Sequence, residues 1–114
     1  MQSITSKELN SLLEKTPDKI EIIDVRWTGE YAESHIPEAR NIPLHLLPMK
    51  MNELNTKKQI IFICRSWWRS GQACTFALGS NITSYNLLGW MNSFESEFPT
   101  KVIHWEKKKL FGIF

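Results

Sequence analysis

Three short apolar runs most constrain this fold: Ile20-Glu-Ile-Ile-Asp-Val25, Gln59-Ile-Ile-Phe-Ile-Cys64 and Thr83-Ser-Tyr-Asn-Leu-Leu88. Each is about six residues long, rich in β-branched or aromatic side chains and bounded by turn formers, as expected for strands buried on both faces. Helical patterns lie between them. Ser6 is read as the cap of a helix through Lys15, with Leu9, Leu12 and Leu13 on one stripe. Thr28 to Ser34 reads as a short helix, and Leu44 to Leu54 as another, interrupted by Pro48. From Ser70 to Leu78 the small residues Gly71, Ala73, Cys74 and Ala77 predict a helix packed closely on the sheet and ended by Gly79. Strands alternating with helices imply an α/β fold with right-handed crossovers and a mostly parallel central sheet flanked by helices. A chain of 114 residues suits one domain, with a body over residues 1–100 and a basic, aromatic tail over 101–114.

Charge and cysteine usage exclude several classes of function. The formal charge is +2, from 14 Lys plus Arg against 12 Asp plus Glu, too balanced for an electrostatically driven nucleic-acid binder. The excess is local, because Lys101, Lys107, Lys108 and Lys109 face only Glu106 in the last stretch. That segment ends in Leu110, Phe111, Ile113 and Phe114. Its ordinary expectation is a fold-back of Val102 to Trp105 and the final aromatics onto the body, and its alternative is contact with an acidic membrane surface or a partner groove. Two cysteines rule out a disulfide framework and a four-thiolate zinc site. His45 and His104 lack partners at metal-binding spacing, so no metal is expected. No secretory signal and no integral membrane segment are read, so a cytoplasmic, reducing setting is expected.

In a parallel sheet, ligands bind beyond the carboxyl ends of the strands, where loops enter helix N-termini. Cys64 occupies that place. In Cys64-Arg65-Ser66-Trp67-Trp68-Arg69-Ser70-Gly71, successive backbone N–H groups and the positive end of the following helix would surround the sulfur. With Arg65 and Arg69 nearby, those fields favour the thiolate and create a nucleophile inside an anion cradle. The same residues, read alone, also fit a buried, unreactive strand-end thiol with solvated arginines.

Two motifs separate these alternatives. Ile23-Asp-Val-Arg26, Glu30-Tyr31 and His35-Ile-Pro37 with Ala39, Asn41, Ile42 and Pro43 resemble the front signature of rhodanese-like domains. Cys64-Arg-Ser-x-x-Arg-Ser70 resembles their active-site loop, and Leu88-Gly89 their late glycine turn. The resemblance runs from about Ile4 to Phe98 and implies a doubly wound α/β fold that works without a bound cofactor. It implies that Cys64 takes sulfane sulfur from a small anionic donor such as thiosulfate and passes it to a thiophilic acceptor: cyanide, a thiol or another protein. Cys64 would be nucleophile and carrier. Arg65 and Arg69 would position the donor, the N–H groups from Arg65 through Ser66, Trp67 and Trp68 to Arg69 would stabilise the persulfide, and Asp24 and Arg26 would brace the site. The six residues from Cys64 through Arg69 are one fewer than related phosphatases use, which favours sulfur transfer over phosphate ester hydrolysis.

Trp67 and Trp68 stand where many members have Gly and Asn. Trp67 would either cover Cys64 or project outward as an aromatic wall that selects an acceptor or partner. A contrasting expectation is therefore a weakly active or inactive rhodanese-fold binding module that uses Trp67 and Trp68 as its surface. Cys74 is expected to pack in the core, with resolution of a Cys64 persulfide as the lesser alternative. His35 is expected to be structural, and Trp90 to pack over the last helix.

Overall fold

The computed structural model describes residues 2–65 and 67–104, with the backbone alone at 67 and 68. In chain order the elements are β1 (Gln2–Ile4), α1 (Ser6–Lys15), β2 (Ile20–Asp24), α2 (Thr28–Glu33), β3 (Ser34–His35) and β4 (Ala39–Asn41). They continue with α3 (Leu47–Lys50), β5 (Gln59–Ile63), α4 (Trp67–Gly79), β6 (Ser84–Leu87), α5 (Trp90–Glu97) and β7 (Ile103–His104). Five strands form one sheet in the order β1-β6-β5-β2-β4, and every neighbouring pair in it is parallel. The three apolar runs are the three central strands, as their composition predicts. β3 and β7 form a separate antiparallel pair, with Ser34 opposite His104 and His35 opposite Ile103.

Alternation along the central strands divides the core in two. On one side, Ile20, Ile22, Ile61 and Ile63 meet Leu9 and Leu13 of α1 and Met91 and Phe94 of α5. On the other, Ile23, Val25, Ile60 and Phe62 meet Ala73, Cys74 and Ala77 of α4. Cys64 continues the series 60, 62, 64, so the pleat aims it at the α4 side, where it is 1% exposed. The small side chains of α4 bring that helix close to the strand end.

Local chemistry departs from the sequence expectations in three places. Thr5, not Ser6, caps α1: its Oγ1 accepts from Glu8 N at 3.1 Å, and the Glu8 carboxylate accepts from Thr5 N in return. Pro48 does not interrupt a helix over 44–54. It sits in the first turn of α3, where its missing N–H costs nothing, between single 3-10 turns at Leu44–Leu46 and Met51–Glu53. Trp90 opens α5 at φ 59°, and its ring joins the α4-side cluster that contains Cys64 rather than lying over the last helix. Gly89 before it has φ 73°, and a Cβ there would lie 2.5 Å from Ser93 Cβ, so this turn requires glycine. At the chain end Val102 is buried and Lys101 Nζ meets Glu14 Oε1 at 2.6 Å. The basic and aromatic stretch 105–114 lies outside the described residues.

Candidate active site

Cys64 is fixed from both sides of the chain. Val25 N donates to Ile63 O at 2.8 Å, extending the β2–β5 ladder to the strand end, and Met91 N donates to Cys64 O at 3.1 Å. Its sulfur lies 3.1 Å from Ser70 Oγ, and Ser70 Oγ in turn bonds Asn86 Oδ1 on β6. Ser70 and Asn86 are both buried. Here the hydroxyl accepts from the Cys64 thiol and gives its one proton to Asn86 Oδ1; it donates to a thiolate or persulfide by turning that proton from Asn86 to the sulfur.

α4 begins at Trp67, three residues earlier than the sequence pattern predicts. Its first turn therefore follows Cys64 almost at once, and the N–H groups of a first helical turn have no carbonyl partner within their own helix. Ser66, and the side chains of Trp67 and Trp68, lie outside the described residues. The expectations for them as donor-binding or partner-facing groups are not addressed by the geometry.

The two arginines of the segment differ sharply. Arg69 is mostly buried and makes a two-pronged pair with Glu30 of α2, Nη1 to Oε1 at 2.8 Å and Nη2 to Oε2 at 3.1 Å. Arg65 is 66% exposed and reaches the same carboxylate only at 3.6 Å. Glu30 Oε1 also accepts from Trp27 N at 2.9 Å, which anchors the start of α2. The Arg69 hydrogen bonds, supported by the Trp27 N–H and opposed by partial burial, hold the Glu30 carboxyl at about 2 against an ordinary 4.5. A carboxyl lowered on folding stabilises the fold fully above its unfolded value and loses that contribution as pH falls towards the folded value. The stability advantage of wild type over Glu30→Gln is therefore expected to shrink as pH drops from 4.5 to about 2. Urea midpoints across that window check this, and a difference independent of pH would contradict it.

Asp24 and Arg26, at the end of β2, form a buried ion pair. The Asp24 carboxylate accepts from Arg26 N at 3.0 Å, from Nε at 2.9 Å and from Nη2 at 2.8 Å, with both residues buried. Arg26 Nη2 also donates to Ser34 O at 2.6 Å, and Asn41 Nδ2 donates to the carbonyls of Asp24 and Arg26 at 2.9 and 3.1 Å. The front signature thus locks the turn after β2 onto β3 and β4. His35 belongs to the same scaffold: buried, stacked on Tyr31 at 3.9 Å between ring centroids, with Nδ1 2.7 Å from Tyr31 O.

Two recesses flank this arrangement. A polar cleft of about 170 Å³ includes Arg26, Glu30, Glu33, Arg65, Met91 and Glu95 in its walls. An apolar groove of about 590 Å³ is lined by Val25, Trp27, Leu44, His45, Phe76 and Arg69 among others. Arg69 lines the groove, and its partner Glu30 lines the cleft. Cys74 faces the core on α4, where burial pushes its thiol up. Sequence reasoning gave no role to Glu30 or Asn86. The available signals were a carboxylate in the first turn of α2 and an asparagine in β6.

A parallel α/β domain with a cysteine at the carboxyl end of its central strand has that cysteine where sheets of this class bind their ligands. The family model for the rhodanese-like domain matches residues 5–97, and the chain belongs to that family. It is 35% identical over 78 residues to a sulfurtransferase of Allochromatium vinosum, covering 68% of this chain and 72% of that protein. It is 28% identical over 116 residues to the thiosulfate:glutathione sulfurtransferase of Saccharomyces cerevisiae, covering 90% of this chain and 84% of that one. The crystal structure of a rhodanese-like domain protein from Staphylococcus aureus matches with a TM-score of 0.77 at 30% identity, covering 82% of this chain and 91% of the other. These relatives support a sulfurtransferase-family role.

Proposed function

We propose that this protein is a rhodanese-type sulfurtransferase that carries sulfane sulfur as a persulfide on Cys64. The observation that carries this reading is the placement of Cys64 at the end of β5, its sulfur 3.1 Å from Ser70 Oγ and the first turn of α4 directly ahead. With thiosulfate, the Cys64 thiolate attacks the outer sulfur. A Cys64 S–S bond forms, the donor S–S bond breaks, and its electron pair departs on sulfite. The persulfide anion left on Cys64 would be stabilised by the partnerless N–H groups of the first turn of α4, which follows Cys64 closely in the chain. In the second step cyanide or a thiolate attacks the outer sulfur, and the electron pair of the Cys64 S–S bond returns to Cys64 as thiolate. No cofactor is needed for either step.

Ser70 Oγ holds the sulfur in place through both steps, and the Asp24–Arg26 brace fixes the neighbouring strand end. Arg65, the more exposed of the two arginines and the more loosely paired with Glu30 at 3.6 Å, is the one that can turn towards an incoming anion. Among the described residues no helix is long and apolar enough to cross a membrane, and we place the reaction in the cytoplasm, where thiol acceptors are abundant. Turnover of thiosulfate, or of an alkyl persulfide, with cyanide as acceptor tests the reading. Thiocyanate formation well above the uncatalysed rate is expected, and background rates with both donors would overturn it.

A further inference from the structure

Glu30 pairs with both arginines of the segment that follows Cys64. Its carboxylate takes both outer nitrogens of Arg69 and is the ion-pair partner of Arg65 at 3.6 Å. The polar cleft beside the site adds Glu33 and Glu95 to its walls, and Glu95 also pairs with His104 at 3.2 Å. Arg26, the remaining cation of that cleft, has its charge matched by Asp24 within the fold. In the cleft and the pairs joined to it, the guanidiniums of Arg26, Arg65 and Arg69 are therefore set against the carboxylates of Asp24, Glu30, Glu33 and Glu95. A cradle that would be strongly positive from its arginines alone is close to neutral. Charge so balanced attracts a distant dianion weakly, although Arg69 still interacts with Cys64 at short range.

We propose that Glu30 is a specificity-determining residue which, by holding Arg69 and engaging Arg65, withholds guanidinium charge from the donor and biases the site towards an alkyl persulfide over the dianion thiosulfate. The inference rests on the sulfurtransferase reading and deepens it by naming the donor class. A persulfide donor in its protonated form brings no net charge to the reacting group. The Cys64 thiolate attacks its outer sulfur, the donor S–S bond breaks, and a thiolate leaves with the electron pair while the proton stays on the new Cys64 persulfide. Nothing in that step needs a guanidinium. Thiosulfate must instead draw Arg65 or Arg69 away from Glu30 before its sulfonate finds a cationic partner.

Glu30→Gln tests this with little change of shape, because the amide oxygen can still accept from Trp27 N and from Arg69 while the charge is gone. Thiosulfate kcat/KM is expected to rise about 3- to 10-fold, chiefly through KM, on the scale of one partly screened charge near the site. The value for thioglycerol persulfide, whose body is uncharged, should move less than about twofold. A purely structural role for Glu30 would lower both together. Wild type alone gives a second reading: added sodium chloride should leave thiosulfate kcat/KM unchanged or raise it, whereas a site steered by exposed arginines would lose rate as salt screens them. An unchanged donor ratio in Glu30→Gln, or a salt-dependent loss of thiosulfate activity in wild type, would overturn the inference while leaving sulfur transfer intact. Failure of both donors to load Cys64 would overturn the sulfurtransferase reading and this inference together.

Discussion

Cys64→Ser is expected to lower donor-to-cyanide turnover by at least about 1,000-fold, the scale on which loss of a covalent nucleophile acts. A serine hydroxyl at the end of β5 can keep the contact with Ser70, but it cannot attack sulfane sulfur as a thiolate or store it as a persulfide. Because the substitution replaces sulfur by oxygen at a site already lined by a hydroxyl, stability should change by no more than about 1–2 kcal/mol. Paired steady-state rates and urea unfolding curves separate the two effects. Residual turnover within tenfold of wild type would mean that sulfur travels by another route, and Cys74, the only other cysteine, would then be examined first.

The largest effect on stability is expected at Asp24. Asp24→Ala leaves the Arg26 guanidinium buried with Ser34 O as the remaining partner among its described hydrogen bonds. Breaking a buried pair by removing one partner costs about 3–5 kcal/mol, because an uncompensated charge stays inside. For a domain of this size, that is a large part of a typical total of about 5–15 kcal/mol. Replacing both members, as in Asp24→Leu with Arg26→Met, should recover much of the loss, since paired burial is itself only weakly favourable. Urea denaturation of the single and double variants checks this. A cost under about 1 kcal/mol for Asp24→Ala would show that the pair does not brace the turn after β2.

The parts of the fold legible in the sequence are those whose residues carry their own pattern. β2 and β5 are mostly apolar runs, β6 carries apolar and aromatic residues beside turn formers, and α4 announces itself by small residues at positions that meet the sheet. The strands that escaped notice are Gln2–Ile4, Ala39–Asn41, Ser34–His35 and Ile103–His104, each two or three residues long. Their extended conformation comes from the neighbour they pair with, as when Ala39 and Arg40 align on Ile22 and Ile23. A segment so short has no periodicity to read. The misassigned cap at Ser6 has the same origin at smaller scale: Thr5 and Ser6 are both good capping residues, and only the reciprocal bond with Glu8 chooses between them.

At the site, sequence order served well where the partners are close in the chain. Cys64 and Ser70 lie within one motif, as do Asp24 and Arg26. Glu30 escaped assignment because its main partner, Arg69, is 39 residues away, and nothing in the spacing of either residue signals the other. That single pair changes the expected character of the site from an arginine-rich anion cradle to one whose arginine charge is largely matched by carboxylate. The exposed Arg65 and the Glu30-bound Arg69 should accordingly not be equivalent on substitution, although the motif presents them alike.

The most direct test of the central claim is peptide-resolved mass spectrometry after exposure to a sulfane sulfur donor, with the adduct trapped by alkylation. The account predicts one additional sulfur atom on the peptide containing Cys64, none on the peptide containing Cys74, and loss of that sulfur when cyanide is added before trapping. An unmodified Cys64 with every donor, or sulfur recovered on Cys74 alone, would contradict it.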